Sequence, residues 1–304
     1  MTAYSLRGLR LAVLGGDDRE LVYIPVLREK GAEVRTVGLP VEKREGIIPC
    51  ATIREAVRGA DVIVLPMPGV DPAGNIRAKF VKEPLPLRDE DLQEVPAGTL
   101  MLVGVARGSL KDLASRRGLR LVEIAERDDV AIYNSIPSAE GALQMAMEGT
   151  DFTIHGSRAL VLGFGRTGMT LARMLAALGA RTTVAARRRA DLARIYEMGL
   201  TPVTFPELPR VLPHMDLIFN TVPSLILDRR LLLKTNQRAY IIDLASAPGG
   251  VDFEVAAELG IKAVLAPGLP GKVAPRTAGE ILARVLPEII AEEVPWPPNG
   301  QRPR

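Results

Sequence analysis

The chain has 304 residues, 47% of them hydrophobic, and a formal net charge of +3. That length allows two cores, and a charge so small and so scattered excludes a nucleic-acid surface and favours small anionic ligands. Cys50, the single cysteine, leaves no intramolecular disulfide and no cysteine metal cluster, as suits a reducing cytosol; no metal site is expected.

In chain order, Leu9–Leu14 is too short for a membrane span or a signal-peptide core and reads as a first strand. Strand signals follow at Asp61–Pro66, Leu100–Val105 and Arg120–Ile124. A helix is predicted over Pro137–Glu148, opened by Pro137, with Ser138 and Glu140 in its first turn. The next strand, Ala159–Leu162, runs into Gly163-Phe-Gly-Arg-Thr-Gly168 and a helix over Met169–Leu178 that stops at Gly179. Further strands are predicted at Arg181–Ala186, Asp216–Thr221, Ala239–Leu244 and Lys262–Ala266, then a long helix over Pro275–Glu293. The last residues, Pro295–Arg304, cannot continue a helix and read as a loose tail. No apolar run approaches the ~18 residues that would cross a membrane.

A Gly-x-Gly-x-x-Gly between a strand and a helix points to a dinucleotide site. Gly163 permits the tight turn, Gly165 lets backbone approach a pyrophosphate, and Gly168 lets helix and strand pack closely. Arg166 and Thr167 then belong to the phosphate-binding helix start. The strand ending at Ala186 carries no acid for a ribose hydroxyl. It is followed by Arg187-Arg188-Arg189, so NADP is expected rather than NAD, with Arg187 and Arg188 on the 2′-phosphate. Thr221, Val222 and Pro223 are expected beside the adenosine side of the cofactor, and Asp243 to Ser246, with Ala245 and Ser246 in contact, beside the nicotinamide.

Shifting the chain by 148 positions aligns Gly8 with Gly156, Val13-Leu14-Gly15 with Val161-Leu162-Gly163, and Gly31-Ala32 with Gly179-Ala180. The fold class expected is therefore α/β: two doubly wound, Rossmann-like parallel-sheet domains with an interdomain cleft. In this register Asp17 and Glu20 replace the second and third glycines, so the first copy should repel a dinucleotide and act as the substrate domain. Asp17 or Asp18 equally fits a plain helix cap. The expected boundaries are 1–136 plus the returning helix 275–293, a cofactor domain over 137–274, and a flexible tail over 294–304. The only histidines, His155 and His214, precede strands and should lie at the edge opposite ligands. Hydroxyacid chemistry with a catalytic histidine is disfavoured.

Glu126-Arg-Asp-Asp-Val-Ala-Ile-Tyr-Asn-Ser-Ile-Pro137, Thr153-Ile-His-Gly156, Gly163-Phe-Gly-Arg-Thr-Gly-Met169, Asp243-Leu-Ala-Ser246 and Ala266-Pro-Gly-Leu-Pro-Gly271 resemble the dipicolinate synthase A-subunit family of endospore-forming bacteria. The resemblance runs from about Leu9 to Glu293. It implies NADP-dependent oxidation of a dihydrodipicolinate-type intermediate of the lysine branch to dipicolinate, in the mother-cell cytoplasm of a sporulating bacterium. It also implies a partner, a flavoprotein-like B subunit; at this size a homo-oligomer is expected too. A dicarboxylate needs cations, for which Arg127 and Arg276 are the first candidates and Arg19 and Arg107 the next. For proton acceptance the candidates are Glu140 and Asp243. Two other readings stay open: an alanine-dehydrogenase-like or hydroxyacid oxidoreductase, and an NADP-binding subunit whose chemistry lies in its B partner.

Overall fold

The computed structural model describes residues 4–294, so the tail expected from Pro295 lies outside the described residues. The chain divides into two compact units: one runs to Val130 and resumes at Pro275, and the other is Ala131–Ala274.

Short Val-, Ile- and Leu-rich runs buried on both faces favour parallel strands covered by helices. In the first unit these are β1 (Arg10–Leu14), β2 (Glu33–Val37), β3 (Ile47–Pro49), β4 (Val62–Val64), β7 (Leu100–Val103) and β8 (Arg120–Glu123), with a small antiparallel pair, β5 (Asn75–Ile76) and β6 (Leu85–Pro86), between β4 and β7. The main sheet is parallel in the order β3-β2-β1-β4-β7-β8. Helices α1 (Asp18–Glu29), α2 (Ile53–Val57) and α3 (Gly108–Arg116) connect its strands.

Helix α4 (Asp128–Gly149) leads into the second unit, whose strands are β9 (Arg158–Leu162), β10 (Arg181–Ala185), β11 (Thr201–Val203), β12 (Leu217–Asn220), β13 (Tyr240–Asp243) and β14 (Lys262–Leu265). They form a parallel sheet ordered β11-β10-β9-β12-β13-β14. Helix α5 (Arg166–Ala177) follows β9 and α6 (Arg189–Glu197) follows β10; the short helices α7 (Leu208–Val211), α8 (Arg229–Leu232), α9 (Phe253–Glu258) and α10 (Leu269–Val273) complete the unit. The two sheets have the same strand order. Arg158 opens β9 148 positions after Arg10 opens β1, and the same spacing separates Arg166 from Asp18 at α5 and α1, and Arg181 from Glu33 at β10 and β2.

The predicted helix start at Pro137 is corrected. Helix α4 begins at Asp128 and passes through Pro137. Asp128 and Asp129 lie in its first turn, where carboxylates complement the helix dipole. Pro137 cannot donate to the carbonyl one turn earlier, but the hydroxyls of Ser135 and Ser138 donate to the nearby carbonyls of Ile132 (2.6 Å) and Asn134 (2.8 Å), and the helix continues.

In the first unit, α11 (Pro275–Glu293) packs on α1. The approach is close at Gly279: a Cβ there would stand 2.6 Å from Cβ of Val22 and 2.9 Å from the Arg19 carbonyl oxygen.

Candidate functional site

In the second unit β9 ends in the glycine turn. Gly163 has φ of 96°, a conformation that favours glycine, and a Cβ on it would meet Oγ1 of Thr221 at 2.7 Å. The Thr221 hydroxyl in turn donates to the Leu162 carbonyl at 2.8 Å, tying the ends of β9 and β12 together. Gly168 packs inward, where a Cβ would fall 2.2 Å from the Gly163 carbonyl oxygen. At Gly165, by contrast, a Cβ would have nothing within 4 Å. That open side is the cradle a pyrophosphate requires. Gly165 is also the N-cap of α5, and no side chain caps that helix; its first amide groups are left to an anion.

A cavity of about 610 Å³ opens here at the carboxyl edge of the sheet. It brings together Gly163, Gly165, Arg166, Thr167, Arg187, Arg188, Thr221, Val222, Pro223, Ala245 and Ser246, whereas Gly168 supports the turn from behind. Leu244, from the loop expected beside the nicotinamide, lines it too; Phe164, Ala186, Asp191 and Phe205 also line it and were not anticipated. Asp191 was legible, standing three residues after Arg188 at helical spacing. Its carboxylate accepts two hydrogen bonds from the Arg188 guanidinium, at 2.8 and 2.7 Å. Arg188 therefore already holds a partner. Arg187, exposed at the cavity, forms no ion pair among the described residues.

Asp243 ends β13 fully buried, and its carboxylate accepts from Nδ2 of Asn220 (2.8 Å) and the backbone amides of Ala245 (2.9 Å) and Gly250 (2.7 Å). Asn220 also accepts from the Val222 amide at 3.1 Å. These two side chains pin the loops that carry Thr221–Pro223 and Leu244–Ser246 to the cavity. The expectation that Asp243 accepts a proton is corrected: its oxygens are occupied by protein donors away from solvent, and it positions the loops instead. Glu140 stands exposed on α4.

The counterpart turn in the first unit is closed by its own chain. Asp17 caps α1, accepting from the Arg19 amide at 3.0 Å, and the Glu20 carboxylate accepts from the Asp17 amide at 2.6 Å. This capping box satisfies amides that an anion would otherwise take. Glu20 lies against the turn, since a Cβ on Gly16 would overlap its carboxyl carbon. Residues 76–79 cover the other side: Gly16 N donates to the Arg77 carbonyl and Lys79 N to the Gly16 carbonyl, both at 2.8 Å. Burial pushes the Glu20 carboxyl up to about 7, with the Asp17 charge adding to the rise. Burial acts the same way on Asp17, but hydrogen bonds and charge from Arg19 outweigh it and hold that carboxyl below its ordinary value.

The four arginines expected to bind a dicarboxylate are not gathered. Arg19 is buried with two hydrogen bonds to Asp17, at 2.8 and 2.7 Å. Arg127 is held by Asp129 (3.2 Å) and Glu292 (2.7 Å), and Arg276, largely exposed, pairs with Glu280 at 2.9 Å. These three guanidiniums have carboxylate partners of their own, which corrects their expected availability to substrate. Arg107 is exposed ahead of α3. His155 and His214 are exposed and precede β9 and β12, at the edge away from the cavity. Among the described residues no helix is long and apolar enough to cross a membrane, and no group of three or more His, Cys, Asp or Glu residues could hold a metal ion.

With this geometry in hand, residues 10–125 match the model of the N-terminal domain of the dipicolinate synthase A-subunit, and residues 132–254 that of the D-isomer specific 2-hydroxyacid dehydrogenase NAD-binding domain. The dipicolinate synthase A-subunit of Bacillus subtilis is 45% identical over 268 residues, 88% of this chain and 90% of its own length. The chain belongs to the dipicolinate synthase A-subunit family. The crystal structure of the dipicolinate synthase A-subunit from Bacillus halodurans matches with a TM-score of 0.90 at 41% identity, covering 94% of this chain and 99% of that one. A transhydrogenase from Sinorhizobium meliloti, 15% identical with a TM-score of 0.68 over 93% of this chain and 94% of its own, shares the fold alone. The NAD-binding domain and the family membership make this chain an NAD(P)-dependent oxidoreductase, with its nicotinamide cofactor held by a Rossmann domain.

Proposed function

We propose that this chain oxidises a dihydrodipicolinate-type intermediate to dipicolinate, with NADP as the hydride acceptor. The observation that carries the reading is the N-terminus of α5 at Gly165, uncapped by any side chain, facing a cavity that also holds Arg187, which has no ion pair among the described residues. The α5 amides and Gly165 would hold the pyrophosphate, and the Arg187 guanidinium would take the 2′-phosphate. Bound there, the nicotinamide supplies a two-electron acceptor. The loops fixed by Asp243 and Asn220 orient it, and the first unit takes the substrate.

Loss of a hydride and a proton makes the substrate ring aromatic, so the main demands on the protein are orientation and removal of that proton. Glu140, exposed on α4, is the carboxylate we assign to the proton. The Bacillus subtilis relative is named for the first of two or more synthase subunits, which supports a partner of the B type. We place the protein in the mother cell of a sporulating bacterium, as a homo-oligomer.

A second reading is favoured by one observation: among the described residues, Asp191 is the only acid or histidine lining the large cavity, and Arg188 occupies it. In that reading the chain binds NADP and the chemistry proceeds on a flavoprotein-like B subunit. Purified chain given freshly generated dihydrodipicolinate and NADP, with and without the B partner, separates the two. Pyridine absorbance and NADPH rising together without B supports oxidation by this chain; strict dependence on B supports the second reading.

A further inference from the structure

The first unit has a cavity of its own, of about 230 Å³, at the carboxyl edge of its sheet. Its walls are Gly16 and Asp17 after β1, Pro66 and Pro68 after β4, and Arg77, Ala78 and Lys79 from the segment that follows β5. Strands β1 and β4 are neighbours, and the chain leaves β1 for β2 on one side and returns to β4 on the other. That is the switch point at which open α/β sheets bind ligands. A dinucleotide is excluded, because Glu20 and residues 76–79 fill the phosphate position. What remains suits a small acid, being below the roughly 300–1,000 Å³ of drug-sized sites.

Three features give this cavity its chemistry. The backbone beneath Arg77 is fixed, with its amide donating to the Gly69 carbonyl at 3.1 Å and its carbonyl accepting from Gly16 at 2.8 Å. The neighbouring acids are already occupied: Asp17 by Arg19 at 2.7 Å, Asp18 by Lys79 at 2.5 Å, and Glu20 by the cap. Arg77 forms no ion pair among the described residues, so its guanidinium is available to an incoming anion, beside Pro66 and Pro68, which carry no amide donor.

We propose that this cavity receives a carboxylate of the dicarboxylate substrate, with Arg77 as the recognising cation; Lys79, held by Asp18, lines the wall beside it. The assignment rests on the function proposed above. It replaces the arginines chosen from sequence: Arg19 is taken up by Asp17 at the cavity wall, Arg127 and Arg276 are paired with other carboxylates, and Arg107 is not among the lining residues. Residues 76–79 thus have two effects: they shut the first copy to a dinucleotide and supply, in Arg77, the cation that makes it a carboxylate site.

The test is calorimetric titration of the full chain with dipicolinate, comparing wild type with Arg77→Gln, Arg77→Lys and Lys79→Gln, and with NADP titrated in parallel. Loss of a charged hydrogen-bonding partner should weaken dipicolinate by about 10- to 100-fold in Arg77→Gln. Arg77→Lys should recover part of this, Lys79→Gln should lose less, and NADP affinity should stay unchanged throughout. Arg77 is exposed, so melting temperatures should not move. Wild-type affinity in Arg77→Gln, or no dipicolinate binding by wild type, overturns the proposal. Arg77-dependent binding without any turnover of dihydrodipicolinate instead upholds the site and removes the catalytic reading.

Discussion

At the residue scale, cofactor selectivity turns on Arg187, because Arg188 is already engaged by Asp191. Arg187→Gln should weaken NADP by about 10- to 100-fold while leaving NAD nearly unchanged, as read by titration with each nucleotide; equal losses for both would place the 2′-phosphate elsewhere. Glu20 gives a pH-dependent prediction. Its carboxyl sits near 7 in the fold against an ordinary 4.5, so the folded state favours the protonated form. Its stabilising contribution is complete below about 4.5 and is lost as the pH rises through 7, to a ceiling of about 3 kcal/mol. Glu20→Gln should therefore melt close to wild type at pH 5 and above it at pH 8; a variant that falls further behind as pH rises would show that the ionised form is the stabilising one. The turn residues were legible because glycine has few reasons to recur at that spacing. Asp243 and the paired arginines were misread because residue type reveals a charge but not the partner that satisfies it: Asn220 for Asp243 and Glu292 for Arg127 lie far away in sequence, whereas Asp17, Asp129 and Glu280 stand two to four residues from Arg19, Arg127 and Arg276 and could have been read.

At the scale of elements, two glycines set how closely helices approach. An added methyl normally favours a helix by about 1 kcal/mol, but at Gly279 it would strike Cβ of Val22 and the Arg19 carbonyl, neither of which is a flexible chain end. Gly279→Ala should thus destabilise the first unit by about 1–3 kcal/mol in thermal melts, and a stabilised variant would refute the close packing of α11 on α1. Gly168→Ala should act in the second unit through the Gly163 carbonyl, lowering both stability and NADP affinity. The central strands of both sheets were readable to within a residue or two from their apolar runs, as was α11, whereas β2, β3, β5, β6 and β11 were not read, being short or, in β2, interrupted by charged residues. The start of α4 was not, because Pro137 reads as an opening residue unless one knows that Ser135 and Ser138 bond to carbonyls around it. Its acidic pair, Asp128-Asp129, was the signal that marked the true first turn.

At the scale of the whole molecule, one strand-turn-helix framework occurs twice with opposite treatment of the helix start. In the first copy Asp17 and Glu20 occupy the α1 amides, whereas in the second Gly165 leaves those of α5 open. The duplication and the acid-for-glycine exchange were visible in the sequence. The cover formed by residues 76–79 was not, since it depends on a chain excursion between β4 and β7 that has no counterpart between β12 and β13. The most direct measurement is NADP titration of the wild-type chain and of Gly165→Asp, which gives the second copy the residue found in the first. A Cβ at Gly165 meets nothing within 4 Å and aspartate is a favoured N-cap, so the variant should fold with unchanged or slightly raised melting temperature. The expected result is one NADP per wild-type chain and a loss of at least about 100-fold in Gly165→Asp, from placing a carboxylate against the pyrophosphate. Two sites per chain, or wild-type affinity in the variant, would contradict the division of labour between the two copies.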